Sequence, residues 1–348
     1  MLKQVISATE AAQIKKLFDQ SRRVVITTHT SPDGDAIGSS LALYEYLTRR
    51  GKQVTVIVPN YFPDYLHWMH DADKIIIYDH HRAQAKTFIS AADLIVALDY
   101  NAINRIDDLA VPIGYANARK LMIDHHLGPD KFCQTIISRP KMSSTCELLF
   151  RVFDAIGAMK DVNTYAAEDI YAGMCTDTGR FSFNSNDPEI FNIIADLMRK
   201  DIDKDMIIRR LFNQNNESRY RLMGYILYEK LVVLPELHAS YHAITREELA
   251  KFHYLKGDAE GIVNMPLEIK GMKVSVALRE DTERPQICIS VRSYDDFPAN
   301  EMCQRFFNGG GHKNAAGGRL ECTMDEAIER VKEALEAYRE LLVSTTDS

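Results

Sequence analysis

The first half of the chain alternates short apolar runs with longer segments in which apolar residues recur every three or four positions. Apolar runs of about four to eight residues are typical of buried strands, and longer periodic segments are typical of helices. Regular alternation of the two predicts an α/β fold, a doubly wound parallel sheet with helices on both faces. The predicted strands are Val24–Thr27, Val54–Val58, Lys74–Tyr78, Leu94–Leu98 and Leu121–Ile123, and the predicted helices include Ala8–Asp19, Ile37–Arg50, Ser144–Ile156 and Thr164–Cys175.

The second half lacks this regular alternation. We expect a smaller C-terminal α/β domain with a mixed sheet, ending in a helix that Thr323 caps. Its predicted strands are Tyr225–Leu234, His238–Ile244, Met272–Arg279 and Pro285–Val291, and its predicted helices are Arg246–Phe252, Ala299–Phe307 and Met324–Leu342.

The stretch between the two halves is helical in pattern and polar. We therefore predict an N-terminal domain at residues 1–190, a helical connector at 191–220 and a C-terminal domain at 221–345. An ordinary pair of helices inside one domain is the alternative for the connector.

Composition limits the classes of partner. The 348 residues suffice for two domains, and 46% hydrophobic with 26% charged residues is the balance of a globular protein. The formal net charge of −7 argues against a long nucleic-acid duplex and leaves room for a small phosphorylated substrate. The six cysteines form no C-x-x-C pair and are expected to be reduced. No signal peptide or membrane span is predicted, so the cytoplasm is the expected location and no membrane partner is expected.

The first candidate chemistry lies in the segment TTHTSPDGDAIGSS at residues 27–40. His29, Asp33 and Asp35 follow a predicted strand and precede a predicted helix, and ligands of open α/β sheets bind at such loops. One imidazole and two carboxylates suit Mn²⁺, Zn²⁺ or Mg²⁺. A plain turn, with an aspartate capping the helix, is the alternative.

Three further groups occupy similar places. Asp99 ends the strand LIVAL, the run Asp124-His125-His126 ends the next, and Asp177 follows an apolar helix in the turn CTDTGRF. Because strand ends share one edge of a sheet, these side chains can converge with the first group. So many carboxylates repel one another without cations, and the set suffices for two metal ions that share a bridging carboxylate.

These motifs resemble the DHH phosphoesterase family. The resemblance is carried by HTSPDGDAIGS, LDYN, DHH and TDTGRF, and by the C-terminal segment FNGGGHKNAAGG, which is similar to the DHH-associated domain. The five motifs stand in the family's order and span nearly the whole chain. Length and domain pairing look most like the group of bifunctional oligoribonucleases and phosphatases of 3′-phosphoadenosine 5′-phosphate (pAp).

The resemblance implies a role for each residue. His29 and Asp33 would hold one divalent ion, and a second set of three residues would hold another. Asp99 would bridge the two ions. Mn²⁺ is the expected metal, with Mg²⁺, Co²⁺ or Zn²⁺ as alternatives. The ions would supply a hydroxide that attacks phosphorus. The second set comprises Asp35, His125 and Asp177.

Two neighbouring residues are catalytic candidates. His126 would contact the substrate phosphate or protonate the leaving oxygen, and Asp124 would support the cluster. For Asp124, a helix-capping role is the alternative.

The C-terminal motif predicts substrate contacts. The small residues Gly309, Gly310 and Gly311 would expose backbone N–H groups as a concave anion nest, and His312 would add a donor. Arg292, on a predicted strand, could bind a phosphate through its guanidinium group. A plain glycine turn is the alternative.

A second Asp-His-His run, Asp79-His80-His81, also follows an apolar segment. It precedes Asp99 and is therefore out of family order, so we assign it no metal role. His67, Trp68 and His70 are expected to belong to a packing or surface cluster.

The expected activity is hydrolysis of short oligoribonucleotides and of pAp, with short single-stranded RNA or a small nucleotide as substrate. The alternatives are a linear or cyclic dinucleotide phosphodiesterase, a manganese pyrophosphatase or exopolyphosphatase, and a non-catalytic nucleotide-binding regulator. The sequence leaves the oligomeric state open, a homodimer included.

Overall fold

A computed structural model of the chain describes residues 3–213, 216–255 and 257–344. The chain divides into two compact units, residues 1–214 and 215–348. The predicted class is confirmed, because the first unit contains a parallel six-stranded sheet and the second a mixed six-stranded sheet. Residues 214 and 215 of the expected connector, and residue 345 at the expected end of the second domain, lie outside the described residues.

The sheet of the first unit is doubly wound. Its strand order is β3-β2-β1-β4-β5-β6, and every neighbouring pair is parallel. After β1 the chain builds outward on one side, then returns to lay β4 on the other side of β1. This reversal creates a topological switch point, where side chains beyond the strand ends face a crevice. The strands are β1 (Arg23–Thr27), β2 (Gln53–Val58), β3 (Ile76–Ile77), β4 (Leu94–Leu98), β5 (Arg119–Asp124) and β6 (Thr135–Ser138).

Helices cover both faces of this sheet and bury two separate apolar clusters. The last two helices of the unit bury Ile193 and Ile207 in the larger cluster. They therefore pack as ordinary helices of the first unit, and the stretch expected to be a connector is shared between the units. The helices are α1 (Ala8–Gln20), α2 (Gly34–Arg49), α3 (Arg82–Ala91), α4 (Ala110–Tyr115), α5 (Thr145–Ala155), α6 (Thr164–Asp177), α7 (Pro188–Met198) and α8 (Lys204–Phe212).

Two strands of the first sheet differ from expectation. The predicted strand Lys74–Tyr78 is wrong in length, since Ala72–Lys74 forms a 3-10 turn and only Ile76–Ile77 pair with β2. The strand Thr135–Ser138 was not predicted. It is an edge strand of four residues, and so short a segment carries little periodic signal.

The second unit is a mixed sheet in the order β11-β12-β10-β9-β8-β7, in which only the pair β8–β9 is parallel. One face of the sheet packs on the helices and forms the apolar core of the unit. Its strands are β7 (Leu231–Leu234), β8 (Ala239–Ile244), β9 (Val274–Glu280), β10 (Ile287–Ser293), β11 (Gly310–His312) and β12 (Ala315–Leu320), and its helices are α9 (Glu217–Tyr225), α10 (Arg246–Lys251), α11 (Ala299–Phe306), α12 (Met324–Ala337) and α13 (Arg339–Val343).

The predicted strand Tyr225–Leu234 is wrong over its first half. Tyr225 ends α9, a π-helical turn follows at Ile226–Lys230, and only the last four residues form a strand. Leu222 and Ile226, four residues apart, pack into one small apolar cluster, which explains why a helix continues here. The predicted helix Met324–Leu342 is interrupted at Tyr338.

Candidate metal centre

The switch point of the first sheet joins a histidine and an aspartate. His29 follows β1 and Asp99 follows β4, and both side chains are buried. His29 Nε2 lies 3.3 Å from Asp99 Oδ2. Asp99 has a φ of 63°, in the left-handed region that non-glycine residues seldom adopt. Such a conformation is common at sites where function dictates the position of a side chain.

The first turn of α2 supplies two carboxylates. Asp33 caps the helix, since one of its oxygens accepts hydrogen bonds from the N–H groups of Asp35 and Ala36 at 3.0 Å. That oxygen also lies 3.9 Å from His29 Nε2, so capping and a place in the cluster coexist. Asp35 is 1% exposed and is held from another direction, by the start of α5.

The strand end of β5 and the last residue of α6 complete the group. His125 Nε2 lies 3.3 Å from Asp177 Oδ2 and 3.7 Å from Asp99 Oδ1. Asp177 was expected in a turn, whereas the structure makes it the last residue of α6. The helix therefore fixes the direction in which this carboxylate enters the site.

The structure brings together all six residues that the sequence singled out as metal ligands. They form overlapping groups whose nitrogen and oxygen atoms lie within 4.8 Å of one another. Asp99 belongs to two of the groups, with Oδ2 facing His29 and Oδ1 facing His125. The groups are His29–Asp33–Asp99, Asp35–His125–Asp177 and Asp99–His125–His126.

The electrostatics of this cluster fit a cation. Burial, and then the charge of Asp99, raise the pKa of Asp35 to about 7. Burial, and then the charge of Asp35, raise the pKa of Asp177 well above its usual value. For these two carboxylates, burial and the neighbouring acids therefore disfavour the charged form when no cation is bound. Carboxylate oxygens mixed with imidazole nitrogens are donors that suit divalent transition ions such as Mn²⁺ or Zn²⁺.

The two ligand histidines respond to the same imbalance. Burial lowers the pKa of His29, but its hydrogen bond to Asp99 and the nearby carboxylates outweigh burial and raise that pKa to about 9. In His125, the charges of Asp177 and Asp99 outweigh burial in the same way, and the pKa is again about 9. Protons thus take the place that a cation would take between these groups.

Asp124 and His126 form a pair beside the cluster. Asp124 is fully buried at the end of β5, where Oδ1 accepts from His126 Nδ1 at 2.8 Å and Oδ2 accepts from the His126 N–H at 2.9 Å. Asp124 therefore orients His126 and caps no helix. His126 Nδ1 also lies 3.7 Å from Asp99 Oδ1, which places the pair next to the candidate ligands.

The sequence did not point to one contributor, the start of α5. The Thr145 and Cys146 N–H groups donate to the two oxygens of Asp35, at 2.6 and 2.9 Å. The Thr145 hydroxyl donates to Asp99 Oδ1 at 2.9 Å. The positive end of the helix dipole thus faces two buried carboxylates. Ser144, followed three residues later by a glutamate, is a pattern that indicates the start of a helix. The sequence does not show which residues this helix start contacts.

Glycines allow the helices α2 and α6 to pack at a short distance from each other. A Cβ atom at Gly173 would lie 2.3 Å from Cys146 Sγ and 3.0 Å from Asp35 Oδ1. On α2, a Cβ at Gly38 would lie 2.5 Å from the Asp169 carbonyl oxygen. The close contact of these helices places Asp35 and Asp177 at one point, and larger residues would push them apart.

The second Asp-His-His run stands apart from this cluster. Asp79 pairs with Arg82 at 3.0 Å, and the ring of His80 packs against Tyr61 at a centroid distance of 4.7 Å. His81 precedes α3 at its N-cap position. Within the described ranges, none of the three belongs to a group of potential metal ligands.

The expected packing cluster is partly dispersed. His67 stacks on Phe62 with ring centroids 4.4 Å apart, and the guanidinium of Arg210 lies over the Trp68 ring. His70 stacks on Tyr165 and lies beside two carboxylates in a separate group.

In the second unit, the glycine-rich segment differs from expectation. Gly310–His312 and Ala315–Leu320 form the two strands of a hairpin, where the sequence predicted an anion nest or a plain turn. The Gly309 N–H donates to the Cys303 carbonyl and is not available to an anion nest. A Cβ at Gly309 would lie 1.9 Å from the Gly317 carbonyl oxygen, which explains the need for glycine by close packing.

The register of this hairpin still gathers polar groups. Arg292 pairs with Ala315, which pairs with His312, so the three form one row on one face of the sheet. The small side chain of Ala315 separates a cation from an imidazole. Arg292 is largely buried and donates to the Val291 carbonyl at 3.0 Å, and burial lowers its pKa. The neighbouring row is Ser290, Gly317 and Gly310, which has little side-chain bulk.

Known proteins match along nearly the whole chain. Residues 23–175 match the model of the DHH family, N-terminal domain, and residues 242–343 match the DHHA1 domain. The Thermus thermophilus protein named bifunctional oligoribonuclease and PAP phosphatase NrnA is 28% identical, over 92% of this chain and 90% of its own length. The Bacillus subtilis protein of the same name is 27% identical, over 92% of this chain and 95% of that one.

A solved structure agrees closely. The crystal structure of an exopolyphosphatase-related protein from Bacteroides fragilis is 48% identical, with a TM-score of 0.95 over 98% of this chain and 99% of that one. Both domain models therefore match in the expected order, and the residues of the His–Asp cluster other than Asp177 lie where the first of them matches. The chain belongs to the DHH family of phosphoesterases and carries a DHHA1 domain in its second half.

Proposed function

We propose that this protein hydrolyses short oligoribonucleotides and pAp, with two divalent ions in the first unit. Three overlapping His–Asp groups, two of which contain Asp99, are the observation that carries the proposal. Phosphoesterases of the DHH family are metal-dependent. The substrate class is supported by the names of the two relatives, which are similar to this chain over about nine tenths of its length.

Each ion has a candidate set of ligands. His29 and Asp33 would hold one ion, Asp35, His125 and Asp177 the other, and Asp99 both. When bound, such ions stabilise negative charge at phosphorus and lower the pKa of water. Mn²⁺ is the metal we expect, because its ligands are commonly carboxylates together with imidazoles.

Backbone contacts prepare the histidines for this task. His29 Nδ1 lies 2.8 Å from the Thr30 carbonyl oxygen, and His125 Nδ1 lies 3.1 Å from that of Met142. A carbonyl oxygen only accepts hydrogen bonds, so each Nδ1 carries the proton. In the neutral ring, the lone pair is then on Nε2, the nitrogen that faces the carboxylates.

His126 is the candidate for direct contact with the reacting phosphate. Asp124 holds its Nδ1, so His126 would use Nε2 to donate to a phosphate oxygen or to protonate the leaving oxygen. The carboxylate of Asp124 fixes the orientation of the imidazole through two hydrogen bonds. Asp124 thus acts through His126.

For the second unit we propose remote substrate contacts. Arg292 and His312 would bind a phosphate, sugar or base away from the reacting bond. Gly310, in the row beside Arg292 and His312, would keep this face of the sheet low, so that a nucleotide can approach its backbone.

Turnover with Mn²⁺ tests the proposal. We expect hydrolysis of pAp and of a diribonucleotide, abolished by a chelator and restored by Mn²⁺. Pyrophosphate and polyphosphate should be poor substrates, although the similar Bacteroides protein is called exopolyphosphatase-related. Preference for a cyclic dinucleotide over pAp and the diribonucleotide would shift the assignment within the family. Absence of turnover on every phosphorylated substrate would leave only a binding role and contradict the proposal.

A further inference from the structure

Two aromatic side chains that the proposed reaction does not use lie at the edge of the first sheet that carries the candidate metal centre. Tyr61 follows β2, and His80, from the second Asp-His-His run, follows β3. Their ring centroids are 4.7 Å apart, and the planes of the rings are inclined at 55°. Tyr61 is 64% exposed and His80 is also exposed, so the pair presents aromatic surface to the solvent.

The register of the sheet places this pair near the ligand loop, the residues 29–33 of the candidate metal centre. Thr27 of β1 pairs with Ile57 of β2, so the chain leaves the two strands at the same level. Neighbouring strands of a sheet lie about 4.8 Å apart. The ligand loop begins two residues after Thr27, and Tyr61 lies four residues after Ile57. Both therefore lie beyond the same edge of adjacent strands.

Two hydrogen bonds connect the ligand loop to its neighbours. The Ser31 N–H donates to Asn60 Oδ1 at 2.6 Å, and Asn60 directly precedes Tyr61. On the other side, the Thr30 N–H donates to the carbonyl oxygen of Arg105 at 2.8 Å, in the segment that follows β4. The ligand loop is thus in direct contact with the chain that carries Tyr61 and with the segment after β4.

A cavity of about 300 Å³ lies beside the aromatic pair. Pro59 and Asp79 line it from the chain after β2 and β3, and Leu109 lines it from the segment after β4. Pro59 is two residues from Tyr61, and Asp79 directly precedes His80. The exposed rings therefore adjoin a recess in the surface, with apolar walls and carboxylate oxygens.

We infer that Tyr61, with His80 against its ring, is a stacking platform for the base of the nucleotide whose phosphate reacts at the metal centre. This inference rests on the proposed function, since it requires a nucleotide phosphate at the candidate ligands. The base is joined to that phosphate through a single ribose, so it must lie close to the ligand loop. Every base has an aromatic face, and stacking therefore accepts any sequence, as hydrolysis of mixed short RNA requires.

Local packing restrains the Tyr61 ring before a base arrives. Phe62, the next residue, is buried in the larger apolar cluster and anchors this part of the chain. His80 packs against the ring from the neighbouring strand end. A base would stack on the part of the Tyr61 ring that His80 leaves uncovered, and little side-chain freedom would be lost on binding.

Kinetics of full-length variants with Mn²⁺ test this inference. We expect Tyr61→Ala to raise KM for a diribonucleotide about five- to a hundred-fold, the usual effect of losing one base–aromatic stack, with kcat and metal content preserved. Tyr61→Trp keeps an aromatic face and should stay close to wild type. Tyr115→Ala is the matched control, because Tyr115 is 87% exposed but ends α4 before β5 begins, at the opposite edge of the sheet.

A substrate without a base separates stacking from other effects. The second substrate is the same diribonucleotide without the base on the nucleoside next to the reacting phosphate. Wild type should show a raised KM on it, and Tyr61→Ala should raise that KM little further. An unchanged KM of Tyr61→Ala on the complete diribonucleotide, or an equal increase on both substrates, would overturn the inference.

Failure of the proposed function would look different. In that case wild type hydrolyses neither pAp nor the diribonucleotide, and calorimetric binding of pAp to wild type and to Tyr61→Ala decides the inference. Weaker binding to Tyr61→Ala alone would support the platform. Equal affinity of the two proteins, or no binding to either, would overturn it.

Discussion

The hydroxyl of Thr145 offers a sharp test of how the protein holds the candidate bridging carboxylate. Thr145 and Asp99 are both buried, and the hydroxyl donates to Asp99 Oδ1 at 2.9 Å. Thr145→Val removes this donor while it keeps the shape of the side chain and the backbone N–H that serves Asp35. Only one contact of the cluster is therefore lost.

The expected magnitude follows from the nature of that hydrogen bond. Bonds to charged groups contribute about 1.5–3 kcal/mol, which corresponds to roughly a ten- to hundred-fold effect on an equilibrium constant. Removal of groups that orient metal ligands costs a similar factor in affinity or activity. We therefore expect Thr145→Val to weaken Mn²⁺ binding, and to lower kcat/KM on pAp at limiting Mn²⁺, by about this factor.

The assay is a calorimetric Mn²⁺ titration of the metal-free protein, paired with kinetics on pAp. Thr164→Val is a matched control, because Thr164 also begins a helix but donates to the Lys200 carbonyl at 2.9 Å. It should lose some stability and keep its metal affinity. Unchanged affinity and activity in Thr145→Val, or equal losses in both variants, would show that the Thr145 hydroxyl does not hold Asp99 in place for metal binding.

Three further predictions concern packing, pH and substrate binding. Gly173→Ala adds a methyl group in a tight helix contact and should lower the free energy of unfolding in urea by about 1–3 kcal/mol. In the control Gly224→Ala, a Cβ would meet nothing within 4 Å and the free energy of unfolding should not fall. Equal effects of the two substitutions would contradict the packing argument. His242 is buried, and burial lowers its pKa to about 4. The free energy of unfolding should therefore fall as the pH drops from about 6.5 to about 4, because in this range only the unfolded chain binds the proton. His242→Leu should flatten this dependence on pH, and an unchanged slope would exclude His242 as its source. Arg292→Ala and His312→Ala should each lower kcat/KM for dinucleotides about ten- to a hundred-fold while metal content and hydrolysis of a small generic phosphodiester are preserved; equal losses on both substrates would contradict a remote binding role.

Much of the candidate site could be predicted because its residues follow apolar strands. The strands that precede His29 and Asp99, and the strand that ends in Asp124, are buried at their carboxyl ends. In the sequence they appear as continuous apolar runs. Their order along the chain then places the polar residues at one edge of the sheet. Asp177 lies at the end of a helix instead of a strand. The sequence predicted the apolar helix before it, but placed Asp177 in the following turn and not in the helix itself.

The missed features depend on contacts between distant parts of the chain. Thr145 meets Asp99, 46 residues away, and no local pattern announces that contact. The glycines at 309–311 were predicted to form an anion nest, with a plain turn as the alternative. In the structure Gly310 and Gly311 belong to a strand paired with β12, and Gly309 and Gly311 pack so closely on β12 that a Cβ atom at either would clash with its backbone. Such pairings become visible only in three dimensions.

We propose that one carboxylate, that of Asp99, serves both ions of the candidate metal centre, and the metal content of Asp99→Asn is the decisive measurement. Wild type, Asp99→Asn and the control Asp79→Asn, from the second Asp-His-His run, would be dialysed against a series of Mn²⁺ concentrations. We expect Asp99→Asn to bind both ions of the centre more weakly, while Asp79→Asn matches wild type. Wild-type occupancy of both positions in Asp99→Asn would contradict this proposal.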